Sequence, residues 1–243
     1  MKVTLSVIVP AYNEERRIRP LLDDLVTLKE QAPDLNLCEI IVVDDGSTDG
    51  TAQVLQEYGE RVRVIRHGKN MGKGAAVKTG IAAAEGGYIL FMDADGATPA
   101  SEIPKMVSAL ERFDFVSGAR NARGSRMNAK RPIIKRVTSR LFNFYVRRLF
   151  KTRNRDILCG FKGMRKGVAK RLAAAIVSDG WIFDAEMLAR AKAMGARIAE
   201  IPIEWGYVKG SNMRLGRETA FAVFRMMKLR KRLRREGVVP RFL

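Results

Sequence analysis

The chain has 243 residues, 47% of them hydrophobic, and its 45 basic and 26 acidic residues give a formal net charge of +19. This length and composition fit a globular protein with one large α/β domain or two small ones, and no apolar run reaches the ~20 residues that a transmembrane helix needs. So large a positive charge is usually retained because an anionic partner screens it, which leaves nucleic acid, an anionic membrane surface and phosphorylated substrates open.

Cysteine and histidine are scarce, which excludes some kinds of chemistry. Cys38 and Cys159 show no pairing pattern. They favour a reducing compartment, and each is expected to be a small buried hydrophobic residue. His67 is the single histidine, so a histidine-ligated zinc site or a serine–histidine relay is implausible.

Predicted strands and helices alternate through the first half of the chain. Apolar runs over residues 3–9, 39–43 and 62–65 predict strands, and Pro10 is expected to stop the first of them. Apolar residues at helical spacing follow the first two runs. The order β-α-β-α-β predicts a parallel sheet.

The segment Asn70-Met71-Gly72-Lys73-Gly74 precedes a helix predicted from Ala75 to Glu85. Glycines and a lysine before a helix favour anion contact through backbone N–H groups, and a structural turn is the alternative. The spacing fits neither Gly-x-x-x-x-Gly-Lys-Ser/Thr nor Gly-x-Gly-x-x-Gly. The segment alone therefore does not decide between the two.

Two predicted strands end in carboxylates. Asp93 and Asp95 follow the apolar run over residues 88–92, and Asp44-Asp45 follows the run over residues 39–43. The carboxyl ends of parallel strands are where α/β proteins hold ligands, and residues two apart in an extended chain point the same way. Hard divalent cations prefer such oxygen ligands, with phosphates completing the shell. We expect one shared cleft, with a capping turn as the alternative.

The second half of the chain continues the pattern without an internal repeat or a long linker. Residues 121–131 are rich in Gly, Ser, Asn, Arg and Lys and predict a mobile loop, and residues 156–164 form a polar-to-apolar segment. We expect one domain, 1–243, with a basic helical annex. The other elements are helices near 101–112, 166–175 and 181–194 and strands near 115–118, 197–201 and 204–205.

Two predicted helices, residues 133–150 and 217–235, combine an apolar face with dense Lys and Arg. This is the pattern of helices that lie in a membrane interface. Each cation near an anionic leaflet contributes about 1 kcal/mol there. The alternative is that the apolar faces pack on the sheet.

Four short motifs follow one another along the first hundred residues. They are Pro10-Ala11-Tyr12-Asn13-Glu14, Asp44-Asp45-Gly46-Ser47-Thr48-Asp49, Asn70-x-Gly72-Lys73-Gly74 and Asp93-x-Asp95-Gly96. In this order and spacing they resemble the inverting glycosyltransferase family 2. That family has the GT-A fold, an α/β fold with a mostly parallel, Rossmann-like sheet flanked by helices. Further similar segments, Trp181-x-Phe183-Asp184-x-Glu186 and Pro202-x-x-Trp205 among them, extend the resemblance over nearly the whole chain.

Within that family the chain is similar to transferases that move a hexose from a nucleotide sugar to a polyprenyl phosphate. Residues 95–98 and 156–162 look more like dolichyl-phosphate β-glucosyltransferases than dolichyl-phosphate mannose synthases. Departures at Ile157-Leu158 and Ser211-Asn212-Met213 leave GDP-mannose open as the donor beside UDP-glucose. A family 2 transferase with a sugar acceptor is a further alternative.

The resemblance implies that residues 1–120 bind the nucleotide sugar. Asp95 would ligate Mg²⁺ or Mn²⁺, with Asp93 beside the ribose and the metal. The bound cation would act as a Lewis acid on the departing nucleoside diphosphate, so no protein acid is needed there. The other residues that it places around the nucleotide sugar are Pro10, Tyr12, Glu14, Asp44, Asp45, Lys73 and Ala94.

The resemblance makes residues 121–243 the acceptor and membrane-surface half. It places Arg120, Arg136 and Arg140 at the acceptor phosphate, and the first two form the expected catalytic set with Asp95. A phosphate monoester is largely dianionic at neutral pH and needs no general base, while guanidinium groups orient it for in-line attack. Further candidates for substrate binding, with buried ion pairing as the alternative, are Asp156, Lys162, Asp184 and Glu186.

These features together predict a peripheral enzyme on the cytoplasmic face of a membrane. Its expected partners are a nucleotide sugar, a dolichyl or polyprenyl phosphate and an anionic membrane surface. A nucleic-acid-binding protein is the remote alternative that the net charge suggests. The four ordered motifs and the lack of a recognisable nucleic-acid-binding motif argue against it.

Overall fold

The protein is described by a computed structural model over residues 3–127, 133–152, 154–206 and 217–239. The strands are β1 (Leu5–Ala11), β2 (Leu37–Asp44), β3 (Arg63–Arg66), β4 (Tyr88–Phe91), β5 (Phe115–Ala119), β6 (Arg126–Met127), β7 (Lys162–Arg165), β8 (Ile198–Pro202) and β9 (Glu204–Trp205). The helices are α1 (Ile18–Gln31), α2 (Thr51–Gln56), α3 (Lys73–Ala83), α4 (Ile103–Leu110), α5 (Ile133–Phe150), α6 (Lys166–Ala175), α7 (Phe183–Ala193) and α8 (Arg217–Arg235).

Seven strands form one sheet in the order β3-β2-β1-β4-β7-β5-β8. Neighbours run parallel except at β7, which lies antiparallel between β4 and β5. β6 and β9 pair as a separate two-stranded sheet. The predicted α/β fold with a mostly parallel sheet is confirmed.

Helices cover both faces of the large sheet. One apolar layer joins the sheet to α1, α2 and α4, and the other joins it to α3, α5, α6, α7 and α8. In β1, Leu5, Val7 and Val9 belong to the first layer and Ile8 belongs to the second, as the alternation of a strand requires. These layers fix the carboxyl edge of the sheet, where the acidic motifs lie. Within the described ranges, no helix is both long and apolar enough to cross a bilayer.

Pro10 does not stop the first strand, so that expectation was wrong. β1 continues to Ala11. Ile8 accepts a backbone hydrogen bond from Met92, on the β4 side, and Pro10, two residues on, faces the same side. Pairing with β4 ends at Ile8 and Phe91, so no residue of β4 would accept a hydrogen bond from an N–H at position 10. The missing N–H of proline therefore costs the strand nothing.

The sequence did not predict β7, because its residues lack the apolar run of a central strand. They nevertheless lie between β4 and β5 and are buried from Lys162 to Met164. A Cβ at Gly163 would lie 2.9 Å from side-chain atoms of Leu110 and Met106. α4 therefore packs directly on the β7 backbone.

The structure also bears on the predictions for the two cysteines and for the loop over residues 121–131. Cys159 is buried as predicted, but Cys38 is exposed, because the register of β1 and β2 shifts there and makes it the extra residue of a bulge. In the predicted loop, residues 126–127 form β6 instead. Residues 128–131 lie outside the described residues, as do 211–213, and motion of the loop stays a prediction.

The loop between α6 and α7, residues 176–182, caps the N-terminus of α3. The Asp179 carbonyl oxygen accepts backbone hydrogen bonds from Gly74 at 2.6 Å and Ala75 at 3.3 Å, and Lys78 Nζ lies 2.6 Å from Asp179 Oδ1. Two N–H groups that would contact an anion are thus occupied. The structure favours the structural turn for this segment.

Replacing Gly74 by alanine should destabilise the protein, because the new Cβ would lie 2.7 Å from the Ser178 carbonyl oxygen and 2.8 Å from Phe183 Cβ. Overpacking of this kind costs about 1–3 kcal/mol. Gly167→Ala is the matched control, since Gly167 is also the second residue of a helix and a Cβ there meets no described atom within 4 Å. We expect urea denaturation to show a lower free energy of unfolding for Gly74→Ala only. Equal values for the two variants would contradict the packing argument.

Candidate active site

Asp93 and Asp95 lie just beyond β4, the middle strand of the large sheet, with the buried Ala94 between them. β4 ends at Phe91, so the extended geometry assumed from the sequence does not reach them. The carboxylates still lie within electrostatic range of each other. The Asp93 side chain is 39% exposed and forms an ion pair with Lys73.

Three cations determine the charge state of Asp93. Burial acts to raise its pKa, but Lys73, followed by Lys162 and Arg120, outweighs the burial and holds the pKa below its ordinary value. Gly160 packs against the same carboxylate, and a Cβ there would overlap its oxygen atoms. Asp93 is therefore an anion at neutral pH, and the side of the site around it is cationic.

Asp95 has the opposite environment. Its Oδ1 accepts the backbone N–H of Ala97 at 3.0 Å, and burial together with the charge of Asp93 raises its pKa. A divalent cation would relieve this repulsion, and a carboxylate is the donor that Mg²⁺ or Mn²⁺ prefers. Among the described residues, no three His, Cys, Asp or Glu side chains are grouped to hold a metal ion. A cation on Asp95 would thus need further oxygen ligands from a bound phosphate or water.

Glu14 adds a third carboxyl group near this pair. Its Oε1 accepts a hydrogen bond from Arg17 at 2.7 Å, and its Oε2 is buried without a hydrogen-bond partner in the part of the chain described. Burial raises the pKa of Glu14 to about 7. Arg17 opposes the rise, while the charges of Asp95 and Asp93 add to it. Near neutral pH this group is about half protonated.

The residues expected at the nucleotide lie where β1 and β2 end, beside the end of β4. Pro10 is buried in β1, and Tyr12 follows it with an exposed ring. Asp44 ends β2 and lines a recess of about 320 Å³ with Arg66, whose Nε lies 3.2 Å from Asp44 Oδ2. The fold thus brings these residues to the edge that carries Asp93.

Asp45 supports the loop that leads to Lys73. Its oxygen atoms accept the backbone N–H groups of Met71 at 2.9 Å and Gly72 at 2.8 Å and lie 2.7 Å from His67 Nδ1. Gly72 has a φ of +98°, which favours glycine. The carboxylate therefore fixes the entry to α3, and a direct contact with the nucleotide stays a prediction.

Arg120 follows β5 and is held by Asp156. Its Nε and Nη2 donate to the two carboxylate oxygens at 2.6 and 2.8 Å. Burial acts to raise the pKa of Asp156, but Arg120 outweighs it and lowers the pKa. The guanidinium carbon lies 5.5 Å from the ring centroid of Trp205. Arg120 is thus fixed in place and within electrostatic range of Asp93.

Lys162 and Asp184 form an ion pair, and both side chains are almost fully buried. Lys162 Nζ also donates to the Cys159 carbonyl oxygen and lies 5.6 Å from the ring centroid of Phe91. The ion pairing that the sequence left open as an alternative is therefore present here, as it is for Asp156. Removing one partner of such a pair would leave an uncompensated buried charge.

Glu186 binds the backbone of the α6–α7 loop. Its carboxylate accepts the backbone N–H groups of Val177 at 3.2 Å and Ser178 at 2.9 Å, and Arg190 Nε donates to it at 2.8 Å. These bonds fix the loop whose later part contains Trp181. Glu186 and Arg190 thus form a buried ion pair, which is the alternative that the sequence left open for Glu186.

Two tryptophans and two arginines remain to be placed relative to the site. Trp181, whose ring centroid lies 5.6 Å from Lys73 Nζ, and Trp205 were given no role by the sequence, although both stand in segments that carried the resemblance. Arg140 is exposed on α5. The side chain of Arg136, one helical turn earlier, lies outside the described part. The role of both arginines stays a prediction.

Known proteins similar to this chain bear on its family. Residues 6–173 match the family described as Glycosyl transferase family 2. The dolichyl-phosphate beta-glucosyltransferase of Dictyostelium discoideum is 34% identical over 225 residues, which are 87% of this chain and 69% of the relative. The protein of that name from Homo sapiens is 35% identical over 224 residues, 86% of this chain and 69% of the relative.

Solved structures resemble the fold as well. The crystal structure of Mycobacterium tuberculosis glucosyl-3-phosphoglycerate synthase with Mn²⁺, UDP and phosphoglyceric acid has a TM-score of 0.68 at 22% identity, over 94% of this chain and 78% of that one. At this identity the likeness concerns the fold, which is of the GT-A type. The family match spans more than half of the chain, and the ordered acidic and glycine motifs meet at one sheet edge. The chain belongs to glycosyltransferase family 2.

Proposed function

We propose that the protein is a metal-dependent, inverting transferase that moves glucose from UDP-glucose to a dolichyl or polyprenyl phosphate. The observation that carries the proposal is the state of the carboxylates beside the site. Arg120 binds Asp156 and Lys162 binds Asp184, so neither carboxylate is free to take a proton from an acceptor hydroxyl. A phosphate acceptor is already an anion and needs no such base.

The relatives support the same substrates. The similar proteins from Dictyostelium discoideum, Homo sapiens and Saccharomyces cerevisiae are named dolichyl-phosphate beta-glucosyltransferases. The Mycobacterium tuberculosis enzyme was crystallised with UDP-glucose and Mn²⁺. On this ground UDP-glucose is preferred to GDP-mannose as the donor.

On the donor side, Asp95 would hold Mg²⁺ or Mn²⁺ with Asp93 beside it. The bound cation would stabilise the charge on the departing UDP, an effect worth several kcal/mol in order of magnitude. Lys73 adds a fixed positive charge, because Asp93 holds its ammonium group. Tyr12 and Asp44 would contact the base and the ribose from the ends of β1 and β2.

On the acceptor side, Arg120 would bind the phosphate. Asp156 engages Nε and Nη2, and a guanidinium group has further N–H donors on Nη1. Arg136 and Arg140 would add charge from α5. A phosphate oxygen would then attack C1 of glucose as the bond from C1 to UDP breaks, its electron pair leaving with UDP, and in-line attack inverts the anomeric carbon.

The membrane surface of the proposal consists of α5 and α8, which touch where Tyr145 Oη donates to the Val223 carbonyl oxygen at 3.4 Å. Buried apolar residues of both helices also belong to the layer that covers one face of the sheet, so each helix has a part that packs inside the protein and a part left for the membrane. Four large apolar side chains remain 50–63% exposed among basic residues, the pattern of an interfacial helix. They are Leu141, Phe144, Phe224 and Met227. The cytoplasmic face of a membrane is part of this proposal.

A transferase with a sugar acceptor is the second candidate. A sugar hydroxyl would need a general base, and Glu14, with a pKa of about 7, has a suitable acidity. Glu14 lies on the nucleotide side, however, where its backbone N–H donates to Thr51 Oγ1 at 2.9 Å. We therefore rank this function second.

Transfer from radiolabelled UDP-glucose tests the proposal. With polyprenyl phosphate and Mn²⁺, we expect labelled product in the organic phase, and Asp95→Asn should lower the rate by roughly a hundredfold or more because the cation is lost. Asp24→Asn, an exposed aspartate of α1, is the control and should act like the wild type. A parallel assay with radiolabelled GDP-mannose tests the other donor. The proposal would be refuted if label were transferred only to a soluble sugar acceptor, or if it were transferred only from GDP-mannose.

Binding to vesicles tests the membrane surface. We expect the protein to float with vesicles that contain phosphatidylserine, and Leu141→Ser/Phe144→Ser should bind about tenfold or more weakly because exposed apolar area is lost. Val64→Ser, an exposed apolar residue on edge strand β3, is the control. Binding should fall in high salt. Equal flotation of both variants would exclude this surface.

The pH dependence of stability tests the environment of Glu14. Its pKa lies near 7 in the folded protein and near 4.5 in the unfolded chain, so the wild type should lose stability as pH rises from about 4.5 to 7. Glu14→Gln cannot ionise, keeps an acceptor for Arg17, and should be more stable than the wild type by about 3 kcal/mol at pH 8 but not at pH 4.5.

Urea denaturation without metal, at a series of pH values, measures this difference. Glu60→Gln, an exposed glutamate, should show no such trend. A difference between Glu14→Gln and the wild type that stays constant from pH 4.5 to 8 would contradict the raised pKa.

A further inference from the structure

Trp181 is an exposed aromatic residue beside the carboxylate site. Its side chain is 60% exposed, although indole rings are mostly buried in folded proteins. The ring centroid lies 5.6 Å from Lys73 Nζ, and that ammonium group is paired with Asp93. The ring is therefore held at the site and still presents much of its surface to solvent.

Hydrogen bonds and packing on both sides of Trp181 keep the α6–α7 loop from moving so as to bury this ring. The Asp179 carbonyl oxygen is bound by Gly74 and Ala75, and the N–H groups of residues 177 and 178 are bound by Glu186. After the ring, Phe183 packs on Phe91 with centroids 5.8 Å apart. The chain is thus fixed on both sides of Trp181. An apolar surface kept exposed by so many bonds indicates a binding surface.

The groups around the ring indicate which ligand it binds. Lys73, whose ammonium group lies over the ring, can donate hydrogen bonds, and Asp93, which is paired with Lys73, can accept them. A pyranose ring needs this combination, since its hydroxyl groups point outward and its C–H groups form apolar faces. An isoprenoid chain would need a continuous apolar groove, but Lys73 and Asp179, which is 55% exposed, flank the tryptophan.

We propose that the Trp181 indole is the platform on which the donor hexose stacks, with Asp93 and Lys73 binding its hydroxyl groups. The partially positive C–H groups of the sugar face would contact the negative face of the ring. Glucose has only equatorial ring hydroxyls, so its faces carry axial C–H groups, whereas a hexose with an axial hydroxyl presents a polar atom on one face. Trp181 would therefore contribute to the choice of hexose. This inference rests on the proposed function and specifies its sugar subsite.

Calorimetric titration with UDP and with UDP-glucose, both with Mn²⁺, tests the inference. Trp181→Ala should weaken UDP-glucose binding about three- to tenfold, the range expected for one aromatic contact, and should change UDP binding less than twofold. Trp181→Phe keeps a flat ring and should remain close to the wild type. Because the side chain is exposed, all variants should have the melting temperature of the wild type.

The outcomes separate this inference from the proposed function. If the wild type binds UDP-glucose but Trp181→Ala weakens UDP and UDP-glucose equally, or neither, the sugar platform is excluded and the proposed function stands. If Trp181→Ala raises only the KM for polyprenyl phosphate, the ring serves the lipid and the inference is wrong. If the wild type binds neither nucleotide, the proposed function fails and the inference fails with it.

Discussion

The negative charge of Asp93 is the constraint on which the site depends. The carboxylate lies beyond the middle strand of the sheet and is paired with Lys73, and Lys162 and Arg120 also lower its pKa. These three cations come from α3, β7 and the end of β5. One anion therefore links the two halves of the chain, and the absence of a side chain at Gly160 lets β7 approach it.

The pKa values of the neighbouring carboxyl groups are shifted in opposite directions. Asp93 has a lowered pKa, whereas Asp95 and Glu14 have raised ones because burial and the charge of Asp93 both disfavour ionisation. The site is thus divided into a cationic side and an acidic side, where the charge of Arg17 does not outweigh burial and the repulsion between carboxylates. Such a division suits a ligand that brings phosphate oxygens and a divalent cation together.

The sequence predicted the parts of this arrangement that depend on local pattern. Apolar runs located β1, β2, β3 and β4, and the aspartates that follow them marked the sheet edge where the candidate site lies. It could not predict β7, because Lys162 and Gly163 are poor strand residues whose burial depends on Asp184 and on α4. Nor could it separate Asp45 from Asp44, since only the fold shows that Asp45 accepts bonds from the loop before α3. Trp181 was visible in a motif, but its exposure was not.

The antiparallel strand β7 also affects the order of folding. β1 to β4 are joined by connections that are close in sequence, whereas β7 comes from far along the chain to pair with β4 and β5. Contacts between distant residues are slow to form, because the chain first loses the entropy of a large loop. Lys162 reaches Asp93 only with β7, and β5, which carries Arg120 just after its end, pairs only with β7 and β8. A partly folded or newly synthesised chain without β7 in place therefore lacks two of the three cations. Full affinity for anionic ligands is thus reserved for molecules whose sheet is complete.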